Sequence, residues 1–225
     1  GYSETKWVAE RLVAAARDRG LPVVIHRLGR VSGDSRTGVW RATNDALAEL
    51  LKASAGLGML PRFEGQVDMV PVDYVARAMV AIARRPDALG RVFHLVNPRP
   101  LRFADLRAGF ELAGYPTDAD EITRWYGELV GRSAGSDEDW TVAIALLSEW
   151  TQHATYGMRD PRFDSHRTQA FLGDDVHAAD VHCPVVDGSV LAQYLRYLAD
   201  TGFLRQPADR VKGEGQWHTA PAGGF

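Results

Sequence analysis

Hydrophobic and polar positions along the first hundred residues form blocks that predict helices and short strands in alternation. In the first block, Val8, Leu12 and Ala16 recur every four residues, which is the spacing of one helix face, and a glycine and a proline then end the pattern. The next block, residues 22–28, is short, rich in β-branched residues and bounded by turn formers. Such a run is typical of a buried strand in a parallel sheet.

The alternation continues beyond this strand. Residues 41–56 have helical spacing, residues 67–72 form a second short apolar run, and Asp73 is placed to cap a helix that follows. Residues 92–96 are a third strand candidate. Helices and strands in this order predict an α/β fold with parallel strands.

The second half of the chain has a different pattern, dominated by helical spacing. Residues 103–113, about 119–130 and 138–150 predict helices, and a last amphipathic helix is expected from Val190 to Gly202. The final residues, from about 205 onward, are rich in glycine and predict a flexible tail.

Composition and charge then narrow the class of protein. Apolar residues make up 45% and the net charge is −3, which indicates a globular domain without a large cationic surface for nucleic acid. No apolar run is long enough to span a membrane. Cys183 is the only cysteine, which fits a reducing cytoplasm. His177, His182 and Cys183 match no established metal-site spacing, so no metal is predicted.

Two residues at the start of the first predicted helix suggest proton-transfer chemistry. Tyr2 and Lys6 are four residues apart, so a helix places them on one face. An ammonium group beside a phenol favours the phenolate and lowers the pKa of a tyrosine from about 10. Such a tyrosine can pass a proton to a carbonyl oxygen as hydride reaches the carbonyl carbon.

The pair, its helix, the following strand and the loop from Leu28 to Gly33 together resemble the extended short-chain dehydrogenase/reductases. Further stretches are similar to the thioester reductase domains that terminate nonribosomal peptide synthetases and some polyketide synthases. These stretches are residues 1–10 (GYSETKWVAE), 33–40 (GDSRTGVW), 70–78 (VPVDYVARA), 93–98 (FHLVNP), and 194–198 (YLRYL) together with 202–204 (GFL). Carboxylic acid reductases and aminoadipate reductases have related terminal domains, and residues 33–40 favour the peptide-synthetase type over the former.

The resemblance implies the C-terminal portion of a Rossmann-like parallel sheet together with a mostly helical substrate-binding lobe. The implied division is residues 1–32 and 67–98 for the sheet, residues 33–66 and 99–204 for the lobe, and residues 205–225 for the tail. These two parts are expected to interleave along the chain rather than to meet at a single boundary.

The resemblance also implies a reaction and its site residues. NADPH would reduce an acyl or peptidyl thioester presented by a phosphopantetheinylated carrier protein, and would release an aldehyde or an alcohol. The implied catalytic residues are Tyr2 and Lys6. The implied cofactor-binding residues are Lys6, Leu28, Gly29, Arg30 and Val31, and the candidates for substrate binding are Arg36 and Trp40.

The sequence departs from the family pattern because its 225 residues contain no glycine-rich phosphate loop of the G-x-G-x-x-G kind. The Ser or Thr that completes the family's catalytic set lies upstream of the tyrosine. We therefore expect a truncated domain whose isolated chain has no reductase activity. Three alternatives stay open: another extended reductase-fold enzyme such as a nucleotide-sugar epimerase, a domain that releases its product by non-redox cyclisation, and a non-catalytic module that docks a carrier protein or acyl chain.

Overall fold

A computed structural model describes residues 1–62, 66–133, 140–155, 163–178 and 180–207 of the chain. The helices are α1 (Tyr2–Asp18), α2 (Ala46–Leu57), α3 (Val72–Ala83), α4 (Phe103–Ala113), α5 (Ile122–Ser133), α6 (Thr141–Thr155), α7 (His166–Gly173) and α8 (Gly188–Asp200), with a 3-10 turn at Pro86–Ala88. The strands are β1 (Ile25–Leu28), β2 (Val31–Ser32), β3 (Met59–Arg62), β4 (Gln66–Val67), β5 (Val70–Pro71), β6 (Val92–Leu95), β7 (Leu101–Arg102) and β8 (Asp118–Glu121). No described helix is both long enough and apolar enough to cross a membrane.

These elements belong to two compact units that interleave along the chain. Unit 1 comprises Gly1–Ser32, Asp68–Pro100 and Arg162–Val185, and unit 2 comprises Gly33–Val67, Leu101–Pro161 and Val186–Phe225. The segment Arg162–Val185 lies in unit 1, whereas the sequence analysis assigned all of residues 99–204 to the lobe. The expected flexible tail lies outside the described residues from position 208 onward.

Unit 1 contains two parallel strand pairs. Strand β1 pairs with β6, with Ile25 opposite Val92, and β2 pairs with β5, with Val31 opposite Val70. Helix α3 packs against this region through the fully buried Ala78 and Ile82. Parallel strand pairs connected through helices confirm the predicted α/β class.

The core of unit 1 explains why the segment after residue 162 belongs there. Phe171 and Leu172 of α7, together with Ala178 and Cys183, are buried in the same apolar cluster as Phe93 of β6. The ring centroids of Phe93 and Phe171 are 4.8 Å apart. Local spacing does not show which core an apolar face joins, so the assignment of residues 99–204 to the lobe had no local pattern that could separate this segment from it.

Helix α3 begins two residues earlier than the sequence pattern suggests. Val72 is its first residue and Pro71 occupies the cap position, so Asp73 lies in the first turn and not at the cap. In the first turn its negative charge still interacts favourably with the positive end of the helix dipole, and its carboxylate pairs with Arg77 at 3.7 Å.

Helix α1 carries the apolar stripe expected from the sequence, but the stripe is not buried in unit 1. Leu12 is 68% exposed, and Trp7, Val8 and Val13 are also exposed. The described contact that ties α1 to the sheet is polar and comes from Glu10, as shown below.

Unit 2 is mainly helical, with α4 packed along α8 and with Trp125 and Trp140 buried among the helices. Two strand pairs that the sequence did not predict join it: β3 runs parallel to β8, and β4 runs antiparallel to β7. Helix α5 therefore begins at Ile122, because Asp118–Glu121 pairs its backbone with β3 before the helix starts.

Candidate active site

Helix α1 positions the two residues for which proton-transfer chemistry was predicted. Tyr2 opens the helix and Lys6 follows one turn later, so the backbone places both on one side of it. The side chain of Lys6 is exposed. The site residues assigned from the sequence thus include two positions at the amino end of one 17-residue helix.

A charged pair fixes this helix against the sheet. Arg27 of β1 donates from Nε to Glu10 Oε2 at 3.1 Å and from Nη2 to Glu10 Oε1 at 2.5 Å. This two-pronged bond with Arg27 lowers the pKa of the Glu10 carboxyl from its ordinary value. Glu10 lies one turn beyond Lys6 on the same helix.

The same arginine continues the network to the neighbouring strand. Arg27 Nη1 lies 3.3 Å from His94 Nε2, and His94 Nδ1 lies 3.1 Å from the carbonyl oxygen of Asp164. A guanidinium only donates, so Nε2 accepts and Nδ1–H donates to the carbonyl; the bonding pattern assigns this neutral tautomer. Glu10, Arg27 and His94 therefore link α1, β1 and β6.

The contact between Glu10 and Arg27 also sets the direction of α1. The helix ends shortly before β1 begins, and Arg27 is the penultimate residue of that strand, so helix and strand run in opposite directions. Tyr2 lies eight residues before Glu10, about 12 Å further along the helix axis. From Glu10, the amino end of α1 therefore extends in the direction of the carboxyl ends of β1 and β6, the edge at which open α/β sheets bind ligands.

The loop from Leu28 to Val31 lies at the same edge. Gly29 N donates to Leu95 O at 2.9 Å, and Arg30 O accepts from Val70 N at 2.8 Å. In this loop the chain leaves its partner β6 and joins its partner β5. Leu28 is 45% exposed and Arg30 is exposed, so both side chains present surface at the sheet edge.

Gly29 is required by a close approach at this point of the loop. A Cβ atom there would lie 2.1 Å from Asp68 Oδ2 and 2.8 Å from Val70 Cγ2. The absence of a side chain lets the carboxylate of Asp68 lie directly against the loop backbone. The sequence analysis did not single out Asp68, because its partner lies 39 positions away and no local pattern connects the two.

Arg36 and Trp40, the two residues predicted to bind substrate, lie in unit 2. Trp40 is only 7% exposed, its Nε1 donates to Asp45 Oδ2 at 3.2 Å, and its ring meets that of Tyr194 edge-on at 5.2 Å. Arg36 is exposed, and its backbone carbonyl accepts from Gln193 Nε2 at 2.5 Å. Trp40 is thus a packing residue of unit 2, whereas the Arg36 side chain lies at the surface.

No cluster of three or more potential metal ligands occurs among the described residues. Cys183 is buried at 6% exposure, and burial raises the pKa of its thiol to about 12. A thiol in that state is a poor metal ligand, since binding requires the thiolate.

Comparison with known proteins shows which domains this chain is similar to. An NAD-binding family model described as "Male sterility protein" matches residues 1–79. The crystal structure of the terminal reductase domain from the myxalamid polyketide–peptide pathway is 36% identical, with a TM-score of 0.82, and the match covers 92% of this chain and 51% of that one. The chain is therefore similar, over nearly its whole length, to about half of a terminal reductase domain. The resemblance to the extended short-chain reductases stated from the sequence is thereby confirmed.

Similar regions occur in much longer proteins. The isonitrile lipopeptide synthase from Streptomyces coeruleorubidus is 33% identical over 93% of this chain, which corresponds to 14% of that protein. The large subunit of the L-2-aminoadipate reductase from Penicillium chrysogenum is 34% identical over 95% of this chain and 16% of that protein. The chain thus spans about half of the crystallised domain and a small part of these longer proteins. The family supports a nicotinamide cofactor as the ligand class.

Proposed function

We propose that this chain is part of a reductase domain that uses NADPH to reduce an acyl or peptidyl thioester held on a carrier protein. The observation that supports it most is the two-pronged bond from Arg27 of β1 to Glu10, which ties the helix that begins with Tyr2 and Lys6 to the strand that leads into the Leu28–Val31 loop. A proton donor and a cofactor loop at one edge are what carbonyl reduction requires.

The residues of the loop suit the nicotinamide end of the cofactor. Gly29 has no side chain, so the Asp68 carboxylate packs directly against the loop backbone, and the exposed Leu28 offers an apolar contact for a flat ring beside it. Arg30 can meet a cofactor phosphate, because a guanidinium binds phosphate through two parallel hydrogen bonds. Lys6 can hold the nicotinamide ribose while its charge favours the ionised form of Tyr2.

In the proposed reaction the bound cofactor supplies a hydride to the thioester carbonyl carbon. Tyr2 stabilises the oxygen on which negative charge develops and gives it a proton. The carbon–sulfur bond of the resulting hemithioacetal then breaks, which leaves an aldehyde and the free thiol of the carrier arm. A second hydride and proton would convert the aldehyde into a primary alcohol.

The partner in this proposal is a carrier protein whose phosphopantetheine arm delivers the thioester. Arg36 is the stronger candidate for the arm's phosphate, since its side chain is exposed. Trp40 is buried, and its contacts with Asp45 and Tyr194 hold the Gly33–Trp40 segment in place.

The test measures NADPH oxidation and aldehyde formation by the full-length protein that contains this chain, with an acyl-loaded carrier protein as substrate. Replacing Tyr2 by Phe should lower kcat by about a hundredfold or more while NADPH still binds, because proton transfer contributes about 10²–10⁴ to such rates. Tyr197→Phe, in α8, is the matched control and should leave the rate unchanged.

Two results would contradict the proposal. If Tyr2→Phe kept the rate of the unmodified protein, Tyr2 would not be the proton donor. If the thioester were consumed without oxidation of NADPH, the domain would release its product by cyclisation instead of reduction.

A further inference from the structure

Asp68 and Asn97 form a bridge at the ligand-binding edge of unit 1. Asn97 N donates to Asp68 Oδ1 at 3.1 Å, and Asn97 Nδ2 donates to Met69 O at 2.9 Å. Asn97 is only 6% exposed, so its side-chain amide is oriented by protein hydrogen bonds and not by water. The bridge joins the segment just before β5 to the segment just after β6.

The second oxygen of the same carboxylate lies against the Leu28–Val31 loop. A Cβ at Gly29 would lie 2.1 Å from Asp68 Oδ2, which means that the carboxylate already occupies the space beside the Gly29 backbone. Asp68 therefore contacts the loop with one oxygen and the bridge with the other.

Two backbone hydrogen bonds anchor the loop, and they connect it to two described strands that do not pair with each other. One end is bound to β6, through Gly29 N and Leu95 O, and the other to β5, through Arg30 O and Val70 N. Among the described strands, β6 pairs with β1 and β5 pairs with β2, so no ladder joins β5 to β6. The bridge between Asp68 and Asn97 supplies a direct connection between these anchors.

We propose that Asp68, acting with Asn97, is a positioning residue that fixes the Leu28–Val31 loop where the nicotinamide ring is to lie. The inference rests on the proposed function for the identity of the ligand. The position of the loop itself is independent of that function and can be measured without any cofactor.

The first experiment measures backbone hydrogen exchange of residues 25–34 in this chain without ligand. Asp68→Ala removes the acceptor of the Asn97 N hydrogen bond and thereby weakens the support of the loop. Exchange of the Gly29 amide should become about tenfold faster, which corresponds to one hydrogen bond of ordinary strength. Asp68→Asn keeps an acceptor oxygen and should exchange within about twofold of the unmodified chain. Asp87→Ala removes an exposed carboxylate paired with Arg85 in the same unit and is the matched control.

The second experiment measures NADPH affinity by fluorescence titration, and KM and kcat separately, in the full-length protein. Asp68→Ala should weaken NADPH binding about tenfold and raise the KM for NADPH, whereas Asp68→Asn should restore both to within about twofold. If Asp68 only stabilised the fold, all variants would bind NADPH equally well at temperatures where every variant is folded.

A substitute variant covers the case in which Asp68→Ala fails to fold. Asn97→Ala removes the side-chain bonds to Met69 O and from Arg99 N, and it leaves the backbone bond from Asn97 N to Asp68 in place. Because the bridge is weakened and not removed, this variant should weaken NADPH binding about threefold.

Each outcome decides one of the two ideas. Unchanged exchange in Asp68→Ala, or faster exchange with unchanged NADPH affinity, would overturn the positioning role. If the unmodified full-length protein bound no NADPH, the proposed function would fail, and altered exchange at Gly29 would then show a loop-holding role without a nicotinamide ligand.

Discussion

The contact between α4 and α8 gives a prediction in which two physical effects oppose each other. Gly109 lies in the interior of α4, where replacing glycine by alanine ordinarily stabilises a helix by about 1 kcal/mol. A Cβ at this position, however, would lie 2.4 Å from Leu191 Cδ2 and 2.7 Å from both Cβ and Cγ of Leu191. Leu191 is fully buried in α8, and its Cβ and Cγ cannot swing away as the end of a long side chain could.

The steric effect should therefore decide the sign. Overpacking of a well-packed core costs about 1–3 kcal/mol, and more when the backbone has to move, which exceeds the gain in helix propensity. We expect Gly109→Ala to lower the free energy of unfolding by about 1–2 kcal/mol. Gly127→Ala in α5 is the matched control, because a Cβ there meets nothing within 4 Å, and it should raise the free energy by about 0.5–1 kcal/mol.

The assay is urea unfolding of this chain followed by circular dichroism, in which the two variants should move the midpoint in opposite directions. A second comparison tests the cause. In a Leu191→Ala background Cγ and Cδ2 are gone and only the Cβ contact at 2.7 Å remains, so the added Gly109→Ala change should cost less than it does in the unmodified chain. Stabilisation by Gly109→Ala in the otherwise unmodified chain, equal to that of Gly127→Ala, would refute the packing argument.

Three further predictions concern other parts of the chain. The pKa of the Cys183 thiol is raised to about 12, so iodoacetamide at neutral pH should label this single cysteine only after denaturation; rapid labelling of the native chain would contradict its burial. Arg27 lowers the pKa of Glu10, so the stabilisation that this pair gives the fold is fully present above the ordinary carboxyl pKa. It is lost as the pH falls through the lowered pKa of Glu10. The difference in unfolding midpoint between the unmodified chain and Glu10→Gln should therefore shrink on acidification, and a constant difference would count against the pair. Tyr194 OH donates to Gly33 O at 2.8 Å in a buried position. Tyr194→Phe should therefore lower the free energy of unfolding in urea by about 1–3 kcal/mol. An unchanged free energy would mean that a water molecule replaces the hydroxyl as the donor to this carbonyl.

Local sequence determined much of the fold because periodicity and motif order are local properties. The spacing of Val8, Leu12 and Ala16 predicted the first helix, and the short β-branched run after it predicted the strand that the structure shows at Ile25–Leu28. Five separated motifs in order indicated the resemblance to reductase domains that the comparisons support. The roles assigned to Tyr2 and Lys6 stay predictions, since they rest on the motif and on the place of α1 in the sheet.

Tertiary structure decided what local patterns do not encode. The bond from Arg27 to Glu10 joins residues 17 apart, and the bond from Asn97 to Asp68 joins residues 29 apart, so neither is visible as a repeat or a motif. No helix was predicted over residues 166–173, and the burial of Phe171 and Leu172 of α7 in the core of unit 1 is likewise a long-range contact. The sequence by itself thus determined the elements with a strong local pattern and suggested the chemistry that they carry. Only the packing of distant segments decided where that chemistry lies, because a contact between remote side chains depends on how the whole chain folds back on itself.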